Sequence, residues 1–278
     1  MITASLVLYH NDPDIYGEAI ASFLASAPEG ELWVSDNSVP PLSHPLFDHP
    51  RVHHVQNGEN LGFGAGHNRA FARLPVASAF HLILNPDVRF APHVLPALQA
   101  VMEQDAHIGA VMPRINFPDG SLQRLAKLLP SPVDLIFRRF LPSGAVRERI
   151  NERYELHDLP QDEAIEVPVI SGCFLLVRTE ALRRVGGFDE RYFMYMEDFD
   201  LVRRLGDGST ILYVPTVYVI HDYAKGSYVN RKLLGFHMMS ALKYFTKWGW
   251  VFDRQRDQRN AAVLERIARR RRTGSVRS

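Results

Sequence analysis

Short apolar segments alternate with amphipathic ones over the first hundred residues. Apolar runs of strand length are typical of buried strands, whereas apolar residues spaced three and four apart predict helices. The pattern predicts strands at residues 3–9, 31–34, 52–55 and 80–84, and helices at 14–25, from about Gly66 onward, and at 92–103. Strands separated by helices indicate an α/β fold with a mostly parallel central sheet and helices on both faces.

The second half is less regular but carries further strand and helix signals. Residues 116–166 hold several prolines and show no clear period. Residues 167–177 predict a strand pair or one bent strand, 179–185 and 197–205 predict short helices, and 211–220 predict a last strand before His221. Because there is no internal repeat and no clear linker, we expect this half to complete the same sheet. A C-terminal helical extension follows it.

Composition and charge narrow the class of protein. The 278 residues are 46% hydrophobic, enough for a sizeable core, and 32 basic against 31 acidic residues give no overall field for nucleic acid. The lone Cys173 cannot form an intramolecular disulfide, which favours a reducing compartment. No signal peptide and no run of roughly 18 apolar residues is present. We therefore expect a cytoplasmic protein, soluble or peripheral at the inner face of the membrane.

Polar residues follow three of the predicted strands. Tyr9 ends the first, Asp36 ends the second, and Asp87 follows the fourth within the tripeptide Asn85-Pro86-Asp87. Ligands of parallel sheets bind beyond the carboxyl ends of the strands, so these side chains are candidates to hold a nucleotide or a divalent cation. The alternative for each aspartate is a turn residue that bonds its own backbone.

Three further features have two interpretations each. Glu197 and Asp198 open a predicted helix, where acidic residues are favoured by the helix dipole, yet the aromatic segment before them is able to desolvate a carboxylate and make it a general base. His221 is either a metal ligand or a loop histidine. The glycines of residues 62–66 lack the dinucleotide-binding spacing and favour a turn that lets a helix pack near a ligand.

Five segments, taken in order, resemble the family 2 glycosyltransferases and in particular their rhamnosyltransferase-like branch. They are LVLYHND, SDNS, NGENLGFGAGHNRA, NPD and GCFLLVRTEALRRVGGFDERYFMYMEDFDLVRRL. The resemblance spans roughly Ser5–Ser227 and implies a GT-A fold. It divides a transferase domain (1–228) into a nucleotide-sugar-binding half (1–115) and an acceptor-binding, catalytic half (116–228). Residues 229–278 form the extension with its basic tail.

The resemblance also implies which residues bind the donor and a cation. Tyr9 and Asp36 would contact the nucleoside, with Asn60 and Asn68 lining the same pocket. Asp87 would take the metal-binding position and His221 would be a further ligand. Many relatives carry Asp-x-Asp where this chain has Asn85-Pro86-Asp87, so the diphosphate oxygens of the donor would complete the shell of Mg²⁺ or Mn²⁺.

The catalytic roles implied by the resemblance fall on the acidic pair. Asp198 would deprotonate an acceptor hydroxyl, and Glu197 would help to hold the acceptor. Attack from the side opposite the nucleoside diphosphate inverts the anomeric configuration in one displacement. We expect L-rhamnose from dTDP-L-rhamnose as the donor sugar, and a bacterial surface polysaccharide or its lipid-linked precursor as the acceptor.

Two alternatives to a transferase stay open. A sugar-nucleotide nucleotidyltransferase shares the sheet and the strand-end carboxylate, but it requires a glycine-rich basic loop after the first strand, which LYHNDPD does not supply. A non-catalytic carbohydrate-binding protein on a degenerate GT-A fold would explain the missing carboxylate at Asn85.

The C-terminal extension has two interpretations as well. Residues 233–252 mix apolar and aromatic side chains with Lys243 and Lys247, and a basic cluster follows at 269–272. This composition is typical of an interfacial helix at an anionic membrane, where a lipid-linked acceptor would lie. Packing in the core or in a homodimer is the competing interpretation.

Overall fold

Ten strands form one sheet in the part of the chain that the computed structural model describes, residues 1–137, 144–222 and 231–274. They are β1 (Ile2–Leu8), β2 (Glu31–Asp36), β3 (Val52–Gln56), β4 (Phe80–Leu84), β5 (Val88–Arg89), β6 (Ile108–Asn116), β7 (Leu122–Gln123), β8 (Ile165–Glu166), β9 (Phe174–Arg178) and β10 (Thr210–His221). The order is β3-β2-β1-β4-β9-β6-β10-β5, with β7 beside β6 and β8 beside β10.

The first four strands are parallel, as the sequence predicts. β1 lies between β2 and β4, and β3 pairs with β2. Their carboxyl ends therefore lie together, and we call this side the carboxyl edge of the sheet. β6 and β10 are also parallel to each other, so the second half completes the same sheet.

The second half adds antiparallel strands to the mostly parallel sheet that the sequence predicts. β9 is antiparallel to both of its neighbours, β4 and β6. Its first residue, Phe174, pairs with Leu84 at the carboxyl end of β4, so the chain enters β9 from the carboxyl edge and must run the opposite way. The predicted strand at 167–177 is correspondingly shorter, and Val169 forms only an isolated bridge to Lys127.

Helices cover the sheet. They are α1 (Pro13–Ser26), α2 (Phe63–Phe71), α3 (Val94–Gln104), α4 (Ala145–Tyr154), α5 (Thr179–Arg184), α6 (Glu197–Leu205), α7 (Arg231–Trp248) and α8 (Arg254–Gly274), with a 3-10 turn at Pro45–Asp48 and a π-helical turn at Val133–Phe137. α2 approaches Ser5 and Val7 on one face of β1. Leu6 and Leu8 point to the opposite face and are also fully buried, so both faces are covered.

A chain of buried polar side chains runs beneath α2. Ser5 Oγ lies 2.6 Å from His67 Nδ1 and 2.8 Å from His81 Nε2, and His81 Nδ1 lies 2.9 Å from Thr3 Oγ1. Burial disfavours the charged imidazole, which lowers the pKa of His81 to about 3 and that of His67 well below its ordinary value. Both histidines are therefore neutral in the folded protein.

The C-terminal helices pack against the sheet-bearing part of the chain. Tyr244 and Phe245 of α7 form a buried cluster with Tyr192 and Met196. Arg203 of α6 forms a bidentate ion pair with Asp253, the residue before α8. These contacts support core packing for one side of α7. Among the described helices, none combines the length and the apolar character needed to span a bilayer.

Candidate active site

The carboxyl edge collects most of the residues that the sequence singles out. Tyr9 follows β1 directly and is half exposed. Its backbone N–H donates a hydrogen bond to Asn11 Oδ1. His10 adopts a left-handed backbone conformation and donates its N–H to Ser38 Oγ, which links the loops after β1 and β2. Tyr9 is therefore presented at the edge, and its contact with a nucleoside stays a prediction.

Asp36 ends β2 with a completely buried carboxylate. Its oxygens accept hydrogen bonds from the N–H groups of Ser38 (2.9 Å) and Leu42 (2.7 Å), and His54 Nε2 lies 3.1 Å away. Burial raises the pKa of Asp36, but these hydrogen bonds outweigh it and lower the pKa below its ordinary value. The carboxylate holds the loop after β2 in shape, as the turn interpretation expects. A direct contact with a nucleoside would compete with these bonds.

Asn60 belongs to a second hydrogen-bonded loop at the same edge. Its Oδ1 accepts the N–H of Gly62 at 3.0 Å, and Asn37 Nδ2 lies 3.3 Å away. Asn37 also donates to the carbonyl of Gly62. The loops after β2 and β3 are thus tied together beside the position where Tyr9 emerges.

Asp87 and His221, the two predicted metal ligands, lie next to each other at the far side of the edge. The short pairing of β5 with β10 sets His221 opposite Val88, and Asp87 Oδ1 lies 3.3 Å from His221 Nε2. Burial lowers the pKa of His221. Its interactions with Cys173 and with the Asp87 carboxylate outweigh burial and raise the pKa to about 10. The imidazole also contacts Gln123 through Nδ1 at 3.0 Å.

The pair of Asp87 and His221 fits a divalent cation that is shared with a substrate. Asp87 Oδ1 is buried and faces His221 Nε2, and a carboxylate with an imidazole is a ligand combination that Mn²⁺ and related cations accept. Within residues 1–137, 144–222 and 231–274, no group of three His, Cys, Asp or Glu side chains is arranged to hold a metal. Phosphate oxygens and water would have to fill the remaining positions.

Glu197 and Asp198 occupy the first turn of α6. The two residues before the helix, Tyr195 and Met196, both have left-handed backbone conformations, so the chain turns sharply into α6. Asp198 Oδ2 accepts the N–H of Gly172 at 3.0 Å, and Oδ1 accepts the N–H of Phe199 at 2.8 Å. The Asp198 carboxylate is therefore held in place by two backbone donors.

Burial perturbs both carboxyl groups. It raises the pKa of Asp198, against the two backbone hydrogen bonds that lower it. Burial and the neighbouring Asp198 carboxylate raise the pKa of Glu197 well above its ordinary value, and Glu197 Oε2 is buried without a hydrogen-bond partner. Perturbed, partly uncompensated carboxyl groups of this kind are typical of functional sites.

One backbone segment joins the acidic pair to the pair of Asp87 and His221. Gly172 N–H donates to Asp198, and the carbonyl of the next residue, Cys173, accepts the N–H of Asn85, two residues before Asp87. The start of β9 thus lies between the two pairs of functional side chains. The antiparallel insertion of β9 brings together residues that are over a hundred positions apart.

The glycine-rich segment of residues 62–66 packs against the segment before α6. A Cβ on Gly62, whose φ is +84°, would overlap the carbonyl oxygen of Phe193, and one on Gly64 would lie 3.0 Å from Phe188 Cβ. Phe63 N–H also donates to the Phe193 carbonyl at 3.0 Å. These glycines permit the close approach of a helix, as expected.

Asn68 has its amide engaged within the protein. Its Oδ1 accepts the N–H of Phe188, and its Nδ2 donates to the carbonyl of Phe188 and to Glu190, each at 2.9 Å. The side chain ties α2 to the start of the aromatic segment that leads to α6. This contact identifies Asn68 as a positioning residue for that segment, and its predicted place in a nucleotide pocket would require these bonds to be exchanged.

Two residues of the site were missed by the sequence reasoning. Gly172 contacts the acidic pair so closely that a Cβ there would lie 3.0 Å from Asp198 Cβ. A glycine inside an apolar strand pattern often marks such a close approach, so a signal was present. Gln123 contacts His221, and nothing in the pattern around it distinguishes it from an exposed polar residue.

The mixed sheet, with its site at the carboxyl edge, defines the GT-A fold class. Solved structures support it: the S. aureus TarS 1–349 structure matches with a TM-score of 0.56 at 14% identity, covering 95% of this chain and 70% of that one. The mannosyltransferase PcManGT from Pyrobaculum calidifontis, in complex with GDP-Man and Mn²⁺, matches with a TM-score of 0.55 at 16% identity, covering 99% and 79%.

The chain belongs to glycosyl transferase family 2, whose model matches residues 6–186. A curated relative, the N-acetylglucosaminyl-diphospho-decaprenol L-rhamnosyltransferase of Mycobacterium tuberculosis H37Rv, is 37% identical over 188 residues, which are 63% of this chain and 60% of the relative. The rhamnosyltransferase WbbL of Escherichia coli K12 is 25% identical over 265 residues, 91% of this chain and 96% of that protein. The predicted family is confirmed, and both of these relatives are rhamnosyltransferases, the branch that the sequence resembles.

Proposed function

We propose that this protein transfers a sugar from a nucleotide donor to a hydroxyl group of a glycan acceptor, with inversion at the anomeric carbon. L-Rhamnose from dTDP-L-rhamnose is the proposed donor sugar, because two of the curated relatives described above are rhamnosyltransferases. A surface polysaccharide or its lipid-linked precursor is the proposed acceptor.

The observation that carries the proposal is the arrangement around the start of β9. Gly172 and Cys173 lie between a half-buried, backbone-held carboxylate at Asp198 and the pair formed by Asp87 and His221. A glycosyl transfer needs both a base on the acceptor side and charge neutralisation on the diphosphate side. The two functions are thus available side by side at one edge of the sheet.

Asp198 is the proposed general base. Each of its carboxylate oxygens accepts one backbone N–H and keeps a lone pair, so the group is oriented yet able to accept a further proton. Burial raises its pKa, which strengthens it as a base. An acceptor hydroxyl that donates to Asp198 is deprotonated as its oxygen attacks the anomeric carbon opposite the leaving diphosphate.

Glu197 is proposed to work in its neutral form. Its pKa lies well above the ordinary value, so the buried carboxyl keeps its proton under conditions in which Asp198 is ionised. A neutral carboxyl donates one hydrogen bond and accepts others, which suits it to hold a second hydroxyl of the acceptor.

Asp87 and His221 are proposed to hold Mg²⁺ or Mn²⁺ together with the donor diphosphate. When bound, such a cation neutralises the charge that builds on the leaving diphosphate. The protein side of this site consists of the buried Asp87 Oδ1 and the imidazole that faces it. Tyr9, Asp36 and Asn60, on the loops of the same edge, are the proposed neighbours of the nucleoside.

The first experiment is a panel of dTDP, UDP and GDP sugars with Mn²⁺ or Mg²⁺, in which thermal shift and release of nucleoside diphosphate are both measured. We expect dTDP-L-rhamnose to stabilise the protein and to be slowly hydrolysed, and EDTA to abolish both effects. Stabilisation by UDP or GDP sugars alone would contradict the rhamnose assignment. Binding of no nucleotide sugar would contradict the transferase proposal.

Asp198→Asn tests the catalytic assignment in the same assay. Because a positioned base contributes about 10²- to 10⁴-fold, we expect turnover to fall by about that factor while the donor still binds. Asp105→Asn is the matched control, since Asp105 is an exposed aspartate in the turn before β6 and its loss leaves the carboxyl edge intact. Near-normal turnover of Asp198→Asn would refute the assignment.

We also propose that the extension contacts an anionic membrane through the turn between α7 and α8. Gly249 directly follows α7. The three residues after Gly249 are exposed, with Val251 at 70% and Phe252 at 93%. Met239 and Leu242 of α7 are exposed as well. Exposed aromatic and aliphatic side chains beside Arg254 are typical of interfacial binding.

Flotation with phosphatidylglycerol vesicles tests the membrane contact. We expect the double variant Val251→Ser/Phe252→Ser to float less than the unmodified protein. The control is Val76→Ser, because Val76 is equally exposed in the loop after α2. Equal flotation of all three proteins would contradict the proposal, and a change from dimer to monomer in light scattering would favour the homodimer instead.

A further inference from the structure

Gln123 makes an unusual set of contacts beside the proposed cation site. It is buried at 5% exposure on the two-residue strand β7, which pairs with the end of β6. Its Oε1 lies 3.0 Å from His221 Nδ1, and its Nε2 donates to the carbonyl oxygen of the same His221 at 2.6 Å. A third, longer contact of 3.5 Å joins Nε2 to the carbonyl of Asn116.

The two contacts bind one glutamine side chain to both the ring and the main chain of His221. The amide carbonyl of Gln123 is an acceptor only, so the facing nitrogen of His221 must carry the proton. The amide N–H on the other branch bonds the main chain of His221, which prevents the ring from turning independently of the backbone. Nε2 is consequently the nitrogen that faces Asp87, at 3.3 Å.

We infer that Gln123 is a positioning residue for the cation site, acting by holding His221 with Nδ1–H inward and Nε2 toward the metal position. This inference rests on the proposed function of Asp87 and His221 as cation ligands. Metal-ligating histidines commonly donate their second ring N–H to such a partner, and loss of that partner weakens metal affinity by about 10- to 100-fold.

The test measures Mn²⁺ binding to the full chain in the presence of dTDP. Binding is detected as a decrease in the electron paramagnetic resonance signal of free Mn²⁺. Gln123→Met removes both hydrogen bonds while keeping the length of the side chain, and we expect it to weaken Mn²⁺ binding about 10- to 100-fold. Gln123→Glu keeps an acceptor for Nδ1–H, and we expect it to bind Mn²⁺ more tightly than Gln123→Met.

Gln161→Leu is the matched control. Gln161 also bonds one side chain and one backbone carbonyl, those of Tyr213 and Leu159, and neither belongs to the cation site. We expect this variant to bind Mn²⁺ like the unmodified protein. A second readout is independent of metal: with ¹⁵N-labelled histidine, the Nδ1–H resonance of His221 should be protected in the unmodified protein and lost in Gln123→Met.

The outcomes distinguish a failure of the role inferred for Gln123 from a failure of the proposed cation site. Unchanged Mn²⁺ affinity in Gln123→Met, with normal affinity in the unmodified protein, would overturn the role of Gln123 and leave the cation site standing. An equal loss in Gln161→Leu would overturn it too, because the effect would then be one of general stability. No Mn²⁺ binding by the unmodified protein would overturn the cation site itself, and with it the role of Gln123.

Discussion

The buried ion pair between Arg203 and Asp253 gives the sharpest prediction on stability. The guanidinium is 1% exposed and donates two hydrogen bonds of 2.7 Å to the two oxygens of Asp253. It also contacts the hydroxyl of Tyr244 and lies 4.1 Å from the ring centre of Trp248. Through this group, α6 is joined to both C-terminal helices.

Asp253→Ala leaves the cation buried without its counter-charge. Removal of one partner of a buried pair typically costs about 3–5 kcal/mol, and because Asp253 Oδ1 also accepts the N–H of Arg256 at the start of α8, a lost helix cap adds about 1 kcal/mol. We therefore expect the free energy of unfolding to fall by about 4–6 kcal/mol in urea titrations.

Two further variants test whether the unpaired buried cation accounts for this loss of stability. Asp257→Ala is the control. Asp257 pairs with Arg256, but the Asp257 side chain is 65% exposed, and pairs at the surface contribute about 0–1 kcal/mol. In an Arg203→Met background, Asp253→Ala should cost far less than in the unmodified protein, since no cation is left unpaired. A cost below about 1 kcal/mol for Asp253→Ala alone would refute the reasoning.

Three other predictions follow from the site and the core. Gly172→Ala sets a Cβ 3.0 Å from Asp198 Cβ and should lower kcat about 10- to 100-fold with little change in donor affinity, measured by steady-state kinetics and calorimetry; an unchanged kcat would contradict the close contact. Gly62→Ala should lower both stability and kcat, measured by urea unfolding and the same kinetics, because its Cβ would overlap the carbonyl of Phe193; full activity at unchanged stability would count against this packing. The pKa of His81 is about 3 when folded and about 6.5 when unfolded, so the unfolded chain binds the proton first and stability is lost as the pH falls from about 6.5 toward 3. At pH 4.5 this amounts to about 3 kcal/mol, and His81→Gln should show a correspondingly flatter decline in urea unfolding between pH 6.5 and 4.5; parallel curves would show that His81 is not neutral in the folded state.

The local pattern of the chain was sufficient for β1 to β4, for β10 and for several site residues, but the sequence analysis does not predict β6, which lies between β9 and β10. Apolar runs at β1, β4 and β10 are visible in the sequence because strands inside a covered sheet are rich in apolar side chains. The motifs around Asp87, Asp198 and His221 could be read from short segments, since each combines a recognisable residue type with a strand end or helix start.

Only the tertiary structure decided which of these residues meet and in what state. The antiparallel pairing of β9 depends on where the chain re-enters the sheet, which is a long-range property with no local signature. The same is true of Asn68, whose partners lie 120 and 122 positions away, and of Gln123, which contacts a residue 98 positions away. The pKa values of Glu197 and His81 likewise follow from burial by distant segments. Residue type and local period are encoded along the chain, whereas desolvation and hydrogen-bond partners arise only when remote segments pack together.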